Sequence, residues 1–257
     1  MAELCFAGLG LGDDPELEGP LRTLVNAAGA VLLDNYTSSV GPAQLEALRR
    51  LAGPRLQILD RTAAEEGGAV LAALAVHDRV LFLTAGDPFV ATTHVELRLR
   101  AESSGHHWRY RPGASILSAV PSFLGLQHYR FGRVISIPFP ADGYAPSSFV
   151  DRIAANRSAG LHSLVLLDLV PAEGRYLSAD AALGILEERD PEFRQLPASL
   201  EVAVAARVGR ADAAGWYGPR TEWRRRRFGE APHSLVVPAP ELHFEEAAAL
   251  ERFRERV

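Results

Sequence analysis

The chain has 257 residues, 47% of them hydrophobic and 23% charged, with a net charge of -5. That length allows one large domain or two of ordinary size, the composition excludes a disordered polymer, and the mild acidity argues against a chain built chiefly to hold nucleic acid. All 27 basic residues are arginine, which excludes a Schiff-base or PLP lysine and a Walker-type phosphate loop, each of which needs an ammonium.

No segment approaches the roughly 20 apolar residues of a membrane helix. The start, MAELCFAGLGLGDD, has no basic region and turns acidic at once, unlike a secretory signal. Cys5, the single cysteine, lies in the first apolar run and reads as a small buried hydrophobe. These features predict a cytoplasmic protein.

Taken in chain order, apolar runs predict strands at 4–8, 30–34, 56–59 and 80–84, with helical patterns at 15–27, 42–52, 65–76 and 92–103 between them. Continuous rather than alternating apolar runs imply strands buried on both faces, as in a parallel sheet covered by helices. A short strand at 107–110 stops at Pro112-Gly113, and Ser115 is placed to cap a helix running to about 125. Beyond it the patterns predict strands at 134–137, 163–167, 202–206, 221–227 and 234–237, with helices near 147–158, 179–189 and 243–256. Because the last strands follow one another without helices, the second sheet should be mixed. The fold class expected is α/β, with an N-terminal domain over 1–112 and a C-terminal domain over 113–257.

Chemistry-bearing residues gather after predicted strands, where open α/β sheets bind ligands. Gly8-Leu9-Gly10-Leu11-Gly12 follows the first strand, but Asp13 stands where a dinucleotide fingerprint needs its third glycine. That weakens an NAD-dependent oxidoreductase. In Leu83-Thr84-Ala85-Gly86-Asp87-Pro88, a turn places one carboxylate at a strand end, and Thr92, Thr93 and His94 follow either as a helix cap or as site residues. Ser115-Ile116 repeats the strand-to-helix pattern, and His233 opens the strand SLVVP as a structural or a site histidine. His106 and His107 point opposite ways on a strand and make no metal pair. The run Arg224–Arg227 reads as a charged edge strand or as a docking surface for an acidic partner.

In this order the blocks "FAGLGL", "YTS" (36–38), "GDPFVATTH" with "ELRLRA", "PGASILSAV", "GLHSLVLLDL", "AARVG" and "FGEAPHSLVVPAPELHFEEA" resemble the diphthine synthase family of the tetrapyrrole methylase superfamily. The Val-Ala-Thr-Thr-His continuation after Gly-Asp-Pro is the specific piece, and Leu11 stands where corrin-type relatives carry a proline. The resemblance implies two α/β domains, usually in a homodimer, with S-adenosylmethionine in the inter-domain cleft. Its cofactor positions match Leu11, Asp87, Val90, Ser115, Ile116, Leu166, Val208 (where a small alanine is usual) and His233, while Tyr36, Thr92, Thr93 and His94 are candidates for the acceptor side. The activity implied is repeated methylation of the amino group on a modified histidine of translation elongation factor 2. A methyl already activated on a sulfonium calls for no catalytic side-chain base, and the residue spacing, charge and short apolar runs lead to the expectation of no metal, no nucleic acid and no membrane. The alternatives are another enzyme of the superfamily, acting on a corrinoid or on ribosomal RNA, and a non-catalytic protein that binds the cofactor or the elongation factor.

Overall fold

The computed structural model describes residues 1–17, 19–36, 38–60, 63, 67–141 and 143–254, without the side chains of Phe193, Arg224 and Arg225. Thr37, the start of the helix expected at 65–76 and the end of that expected at 243–256 lie outside the described residues. The backbone forms two compact units, Met1–Ile116 with Val170–Gly174 and Gly209–Ala211, and Leu117–Leu169 with Arg175–Val208 and Asp212–Val257.

The first unit contains β1 (Glu3–Gly8), α1 (Gly19–Ala27), β2 (Ala30–Asp34), α2 (Pro42–Ala52), β3 (Leu56–Leu59), α3 (Gly68–Val76), β4 (Arg79–Thr84), α4 (Val95–Ser103) and β5 (His107–Arg111). Its strands form one all-parallel sheet in the order β3-β2-β4-β1-β5. Side chains alternate across a pleated strand. Cys5, Ala7, Val31, Leu33, Leu81 and Leu83 therefore enter one apolar layer with Leu21, Val25 and Leu48 of α1 and α2. Their neighbours Leu4, Phe6, Leu32, Val80 and Phe82 enter a second layer with Leu74 and Leu97 of α3 and α4. Two covered faces are why these runs are apolar at every position.

The second unit begins within α5 (Ile116–Leu124) and continues with β6 (Ile135–Ile137), α6 (Ser148–Ser158), β7 (Ser163–Leu167), the two-residue strands β8 (Leu169–Val170), of which Leu169 belongs to this unit, and β9 (Arg175–Tyr176), α7 (Ala179–Arg189), β10 (Glu201–Ala206), β11 (Ala214–Pro219), β12 (His233–Val237) and α8 (Phe244–Leu250). Its main sheet has the order β11-β10-β12-β7-β6, in which β6–β7 is parallel and the other pairs antiparallel. A core of Ile137, Phe149, Ile153, Val165, Leu183, Leu186, Val202, Val204 and Leu235 lies against α6 and α7. The expected combination of a parallel and a mixed sheet holds. No described helix is long and apolar enough to cross a membrane.

Two stretches differ from expectation. The strand predicted at 221–227 is instead a 3-10 helix, Arg220–Arg225. Arg220 and Trp223 are buried at an i, i+3 spacing with the guanidinium 5.1 Å from the ring centroid, so this segment follows a three-residue period. A buried arginine is a rare inward residue, and Arg220 stands one position before the expected strand, whose run Arg224–Arg227 reads as a charged edge. The strand β11 was not predicted because its sequence AGWYGP looks like a turn. A Cβ on Gly215 would lie 2.4 Å from the Phe253 ring, and one on Gly218 2.7 Å from the Trp216 ring. These glycines make room for aromatic rings.

Candidate functional site

The parallel sheet brings the carboxyl ends of β4, β1 and β5 side by side, and three glycines let their following turns pack backbone to backbone. A Cβ on Gly8 would sit 2.3 Å from the Gly86 carbonyl oxygen and 2.6 Å from Gly113 Cα; one on Gly113 would sit 2.0 Å from that same oxygen. No L side chain fits at either position. Gly10 and Gly86, at φ +75° and +66°, exchange backbone hydrogen bonds of 3.2 and 2.7 Å that join the first loop to the Gly-Asp-Pro loop. A left-handed conformation is the other reason for glycine at these two sites.

Asp87 is buried and anchors this knot. Its Oδ1 accepts from the Phe89 amide at 2.9 Å, and its Oδ2 accepts from the Tyr110 hydroxyl and from the Gly113 amide at 3.2 Å. One carboxylate thus ties its own loop to β5 and to the turn that leads into Ser115-Ile116. Burial, followed by the hydrogen bond to Asp87, pushes the Tyr110 hydroxyl up to about 12, so it remains a donor. Tyr110 and Gly113 as partners of Asp87 had no signal in the sequence beyond their place at a strand end.

Asp13 has a different task from the glycine it replaces. Its Oδ1 accepts from the Gln44 amide at 2.9 Å in the first turn of α2, satisfying a donor that the Gly41 N-cap leaves open. The first loop does not run directly into a helix, because α1 starts only at Gly19. A dinucleotide fingerprint requires that junction, so the NAD reading loses its structural basis.

Leu11, Val90, Ser115 and Ile116 of the first unit are all half-buried, as a ligand-lining residue would be. Gly209 packs against Leu11, with an added Cβ only 2.7 Å from the Leu11 Cβ. Thr92 is half-buried and its Oγ1 accepts weakly from the His94 amide at 3.4 Å, while Thr93 is exposed and its carbonyl accepts from Glu96 at 2.9 Å. Both therefore help to start α4. Tyr36 is half-buried, with its amide on Asp34 Oδ1 at 2.8 Å.

His94 turns inward. It is 2% exposed, its Nδ1–H donates to the Pro88 carbonyl at 2.8 Å, and its Nε2 lies 3.2 Å from Oδ2 of the fully buried Asp34, outside hydrogen-bonding angle. The ring also stands edge-on to Phe82 at 4.9 Å between centroids. Its ring nitrogens face Asp34 and Pro88, and what it can offer a ligand is control of the loop. The pairing of Asp34 with His94 depends on β2 and β4 being neighbours in the sheet.

In the second unit, Leu166 and Val208 are half-buried and His233 is buried. Arg207, at φ +51°, organises this end: its amide donates to the Pro232 carbonyl at 2.9 Å, its guanidinium reaches the carbonyls of Glu230 and Asp212, and Nε pairs with the Asp212 carboxylate at 2.6 Å. The segments carrying Val208 and His233 are thereby clamped together. His233 Nδ1 accepts from the Ala179 amide at 3.1 Å, so the neutral ring carries its proton on Nε2, which meets no acceptor at hydrogen-bonding geometry among the described residues. Burial lowers its pKa, outweighing the nearby backbone of Phe228 and Glu230 that favours the protonated ring. A neutral ring with an available N–H is a donor for a ligand.

Of the arginine run, Arg226 lies over the Trp216 ring at 5.0 Å and Arg227 is exposed beside Asp180 at 3.7 Å.

A sequence profile of the Tetrapyrrole (Corrin/Porphyrin) Methylases matches residues 3–222. A diphthine synthase from Methanocorpusculum labreanum is 36% identical over 251 residues, covering 97% of this chain and 98% of that one. A diphthine synthase from Methanosarcina mazei is 38% identical over 253 residues, covering 96% and 94%. A crystal structure of a diphthine synthase superposes with a TM-score of 0.86 at 31% identity, covering 98% of this chain and 96% of that one. The chain belongs to the tetrapyrrole methylase family, within its diphthine synthase branch, and is a methyltransferase.

Proposed function

We propose that this enzyme uses S-adenosylmethionine to methylate, repeatedly, the amino group of a modified histidine on translation elongation factor 2, in the cytoplasm and as a homodimer. The observation that carries this reading is the near full-length identity to diphthine synthases. The residues present fit the cofactor. In the first unit Leu11, Val90 and Ile116 offer half-buried apolar surface for the adenosyl group, with Ser115 beside them, and Asp87 holds their loops in place. In the second unit Leu166 and Val208 add apolar surface, and His233 offers its Nε2–H.

The cofactor supplies a methyl group already activated on a sulfonium, so the protein's task is alignment of the acceptor amine and exclusion of water. Near-attack alignment can contribute roughly 7–11 kcal/mol to such a transfer. Tyr36, Thr92 and Thr93 are the residues assigned to the acceptor side, with His94 acting on them from beneath. No side-chain base is assigned. The amine must be neutral to react, and a partly desolvated pocket lowers an ammonium's pKa in that direction. Exposed Arg227 belongs to the docking surface for the protein acceptor.

The test is to incubate the enzyme with isotopically labelled S-adenosylmethionine and elongation factor carrying the unmethylated precursor side chain. Successive methyl additions, followed by intact-protein mass spectrometry, are the expected outcome; transfer only to ribosomal RNA or to a tetrapyrrole overturns the reading. Within it, Asp87→Ala should raise the cofactor dissociation constant strongly in calorimetry.

A further inference from the structure

A buried carboxylate opposite a buried imidazole is an expensive way to fill a core, because both groups are removed from water and apolar residues of the same size do as well or better. Asp34 and His94 nevertheless occupy such positions, at 0% and 2% exposure, directly beneath two of the loops that carry the candidate site. Each has one polar atom on the other and one on a loop. Asp34 Oδ1 holds the Tyr36 amide at 2.8 Å, and His94 Nδ1 holds the Pro88 carbonyl at 2.8 Å, with 3.2 Å between Oδ2 and Nε2. The chain Tyr36–Asp34–His94–Pro88 therefore runs from the loop after β2 to the loop after β4. In the second loop Ala91 is held at φ +57°, a conformation that persists only where the surroundings over-determine it.

We propose that Asp34 and His94 are positioning residues, a polar strut that fixes the acceptor-side loop at Tyr36 against the Gly-Asp-Pro loop and so aligns the acceptor with the methyl donor. The proposal rests on the functional reading above. It requires no proton transfer by His94; the pair acts through the backbone it holds.

The test uses the full-length enzyme with Asp34→Ala, Asp34→Asn and His94→Phe. Asp34→Ala removes the strut, and His94→Phe keeps the ring volume against Phe82 while removing both polar contacts. Asparagine can still accept from the Tyr36 amide, and its amide group can donate to Nε2, which restores the link. Misalignment on the scale of an ångström lowers transfer by about ten- to hundredfold, so Asp34→Ala and His94→Phe should show that loss in kcat/KM for the elongation factor. Their cofactor dissociation constants should stay within about threefold, a shift well under the tenfold that corresponds to 1.4 kcal/mol. Asp34→Asn should recover most of the loss. Hydrogen exchange should quicken at residues 88–94 in His94→Phe while the amides of β1 and β4 are unchanged.

Wild-type acceptor kinetics in Asp34→Ala or His94→Phe, or an equal loss of cofactor affinity, overturns the strut. Should Asp34→Ala fail to fold, His94→Phe and Asp34→Asn decide the question by the same measurements. If the wild-type enzyme transfers nothing to the elongation factor, the acceptor reading falls, and unchanged exchange at 88–94 in His94→Phe then overturns the strut separately.

Discussion

Each unit buries one histidine against a fully buried carboxylate, and the two pairs are wired differently. In the second unit Glu246 of α8 accepts from the amides of Gln127 and His243, from Arg130, and from His162 Nε2 at 3.1 Å, while His162 Nδ1 accepts from the Ala239 amide at 2.9 Å. That carboxylate closes the capping box of α8 and takes four donors from three segments of the chain. Asp34 in the first unit accepts from the Tyr36 amide and faces an imidazole outside hydrogen-bonding angle, at the carboxyl end of a parallel sheet and under two loops. A fully bonded buried charge holds a fold together. One that lies under loops sets their register.

Removing the densely bonded carboxylate should therefore have the largest effect on folding. Glu246→Ala strands Arg130 and the donors around it, and breaking a buried pair typically costs about 3–5 kcal/mol, measurable by urea unfolding, with the cofactor dissociation constant of the folded fraction unchanged. Asp34→Asn should cost clearly less, and an equal loss would erase the distinction between the pairs.

Acid should separate them next. Burial, acting against the attraction of Glu246, holds the His162 pKa below its ordinary value of 6.5, and the Ala239 amide already occupies the nitrogen a second proton would take. Burial alone would raise the Glu246 pKa, but the amides of Gln127 and His243, with His162, hold it below 4.5. In both cases the unfolded chain binds more protons than the folded one, so stability rises with pH. The contribution of His162 is complete above 6.5 and fades as pH falls below that value; that of Glu246 is complete above 4.5 and fades below it. Unfolding midpoints followed from pH 7 towards pH 4, a range of about three units around these ordinary values, should decline in the wild type. In a His162→Gln variant the upper part of that decline should be smaller.

Backbone contacts provide the third contrast. Gly113→Ala forces a methyl group against the Gly86 carbonyl and should cost about 1–3 kcal/mol, as overpacking does, together with weaker cofactor binding. Gly184, inside α7 with nothing within 4 Å of an added Cβ, should tolerate alanine and gain up to about 1 kcal/mol. Asp13→Ala, which removes the distant cap of α2, should cost about 1 kcal/mol. If the Gly113 and Gly184 variants behave alike in thermal unfolding, the glycine knot does not discriminate the two regions.

Much of the fold was legible. The strands Ala30–Asp34, Leu56–Leu59 and Ser163–Leu167 and the helices Pro42–Ala52 and Ala179–Arg189 fall where the apolar periods predicted them. The segment from Thr221 differs because the 3-10 turn starts one residue earlier, at a buried arginine that no apolar pattern marks, and β11 escaped prediction because its glycines answer to the rings of Phe253 and Trp216. Of the candidate site, the position of the Gly-Asp-Pro loop was readable, since a strand end in an α/β sheet is a local pattern. The partners of Asp87, the task of Asp13 and the inward turn of His94 were not.

By itself the sequence determined the class of fold, the alternation of strands and helices in the first half, the location of the turns that carry the candidate site, and a family resemblance strong enough to name the chemistry. These are consequences of local period and composition. The tertiary structure alone decided that β4 lies between β2 and β1, and hence that Asp34 faces His94 and that Gly8, Gly86 and Gly113 touch. Strand order follows from how helices cover both faces of a sheet, a competition among distant parts of the chain that no local pattern records.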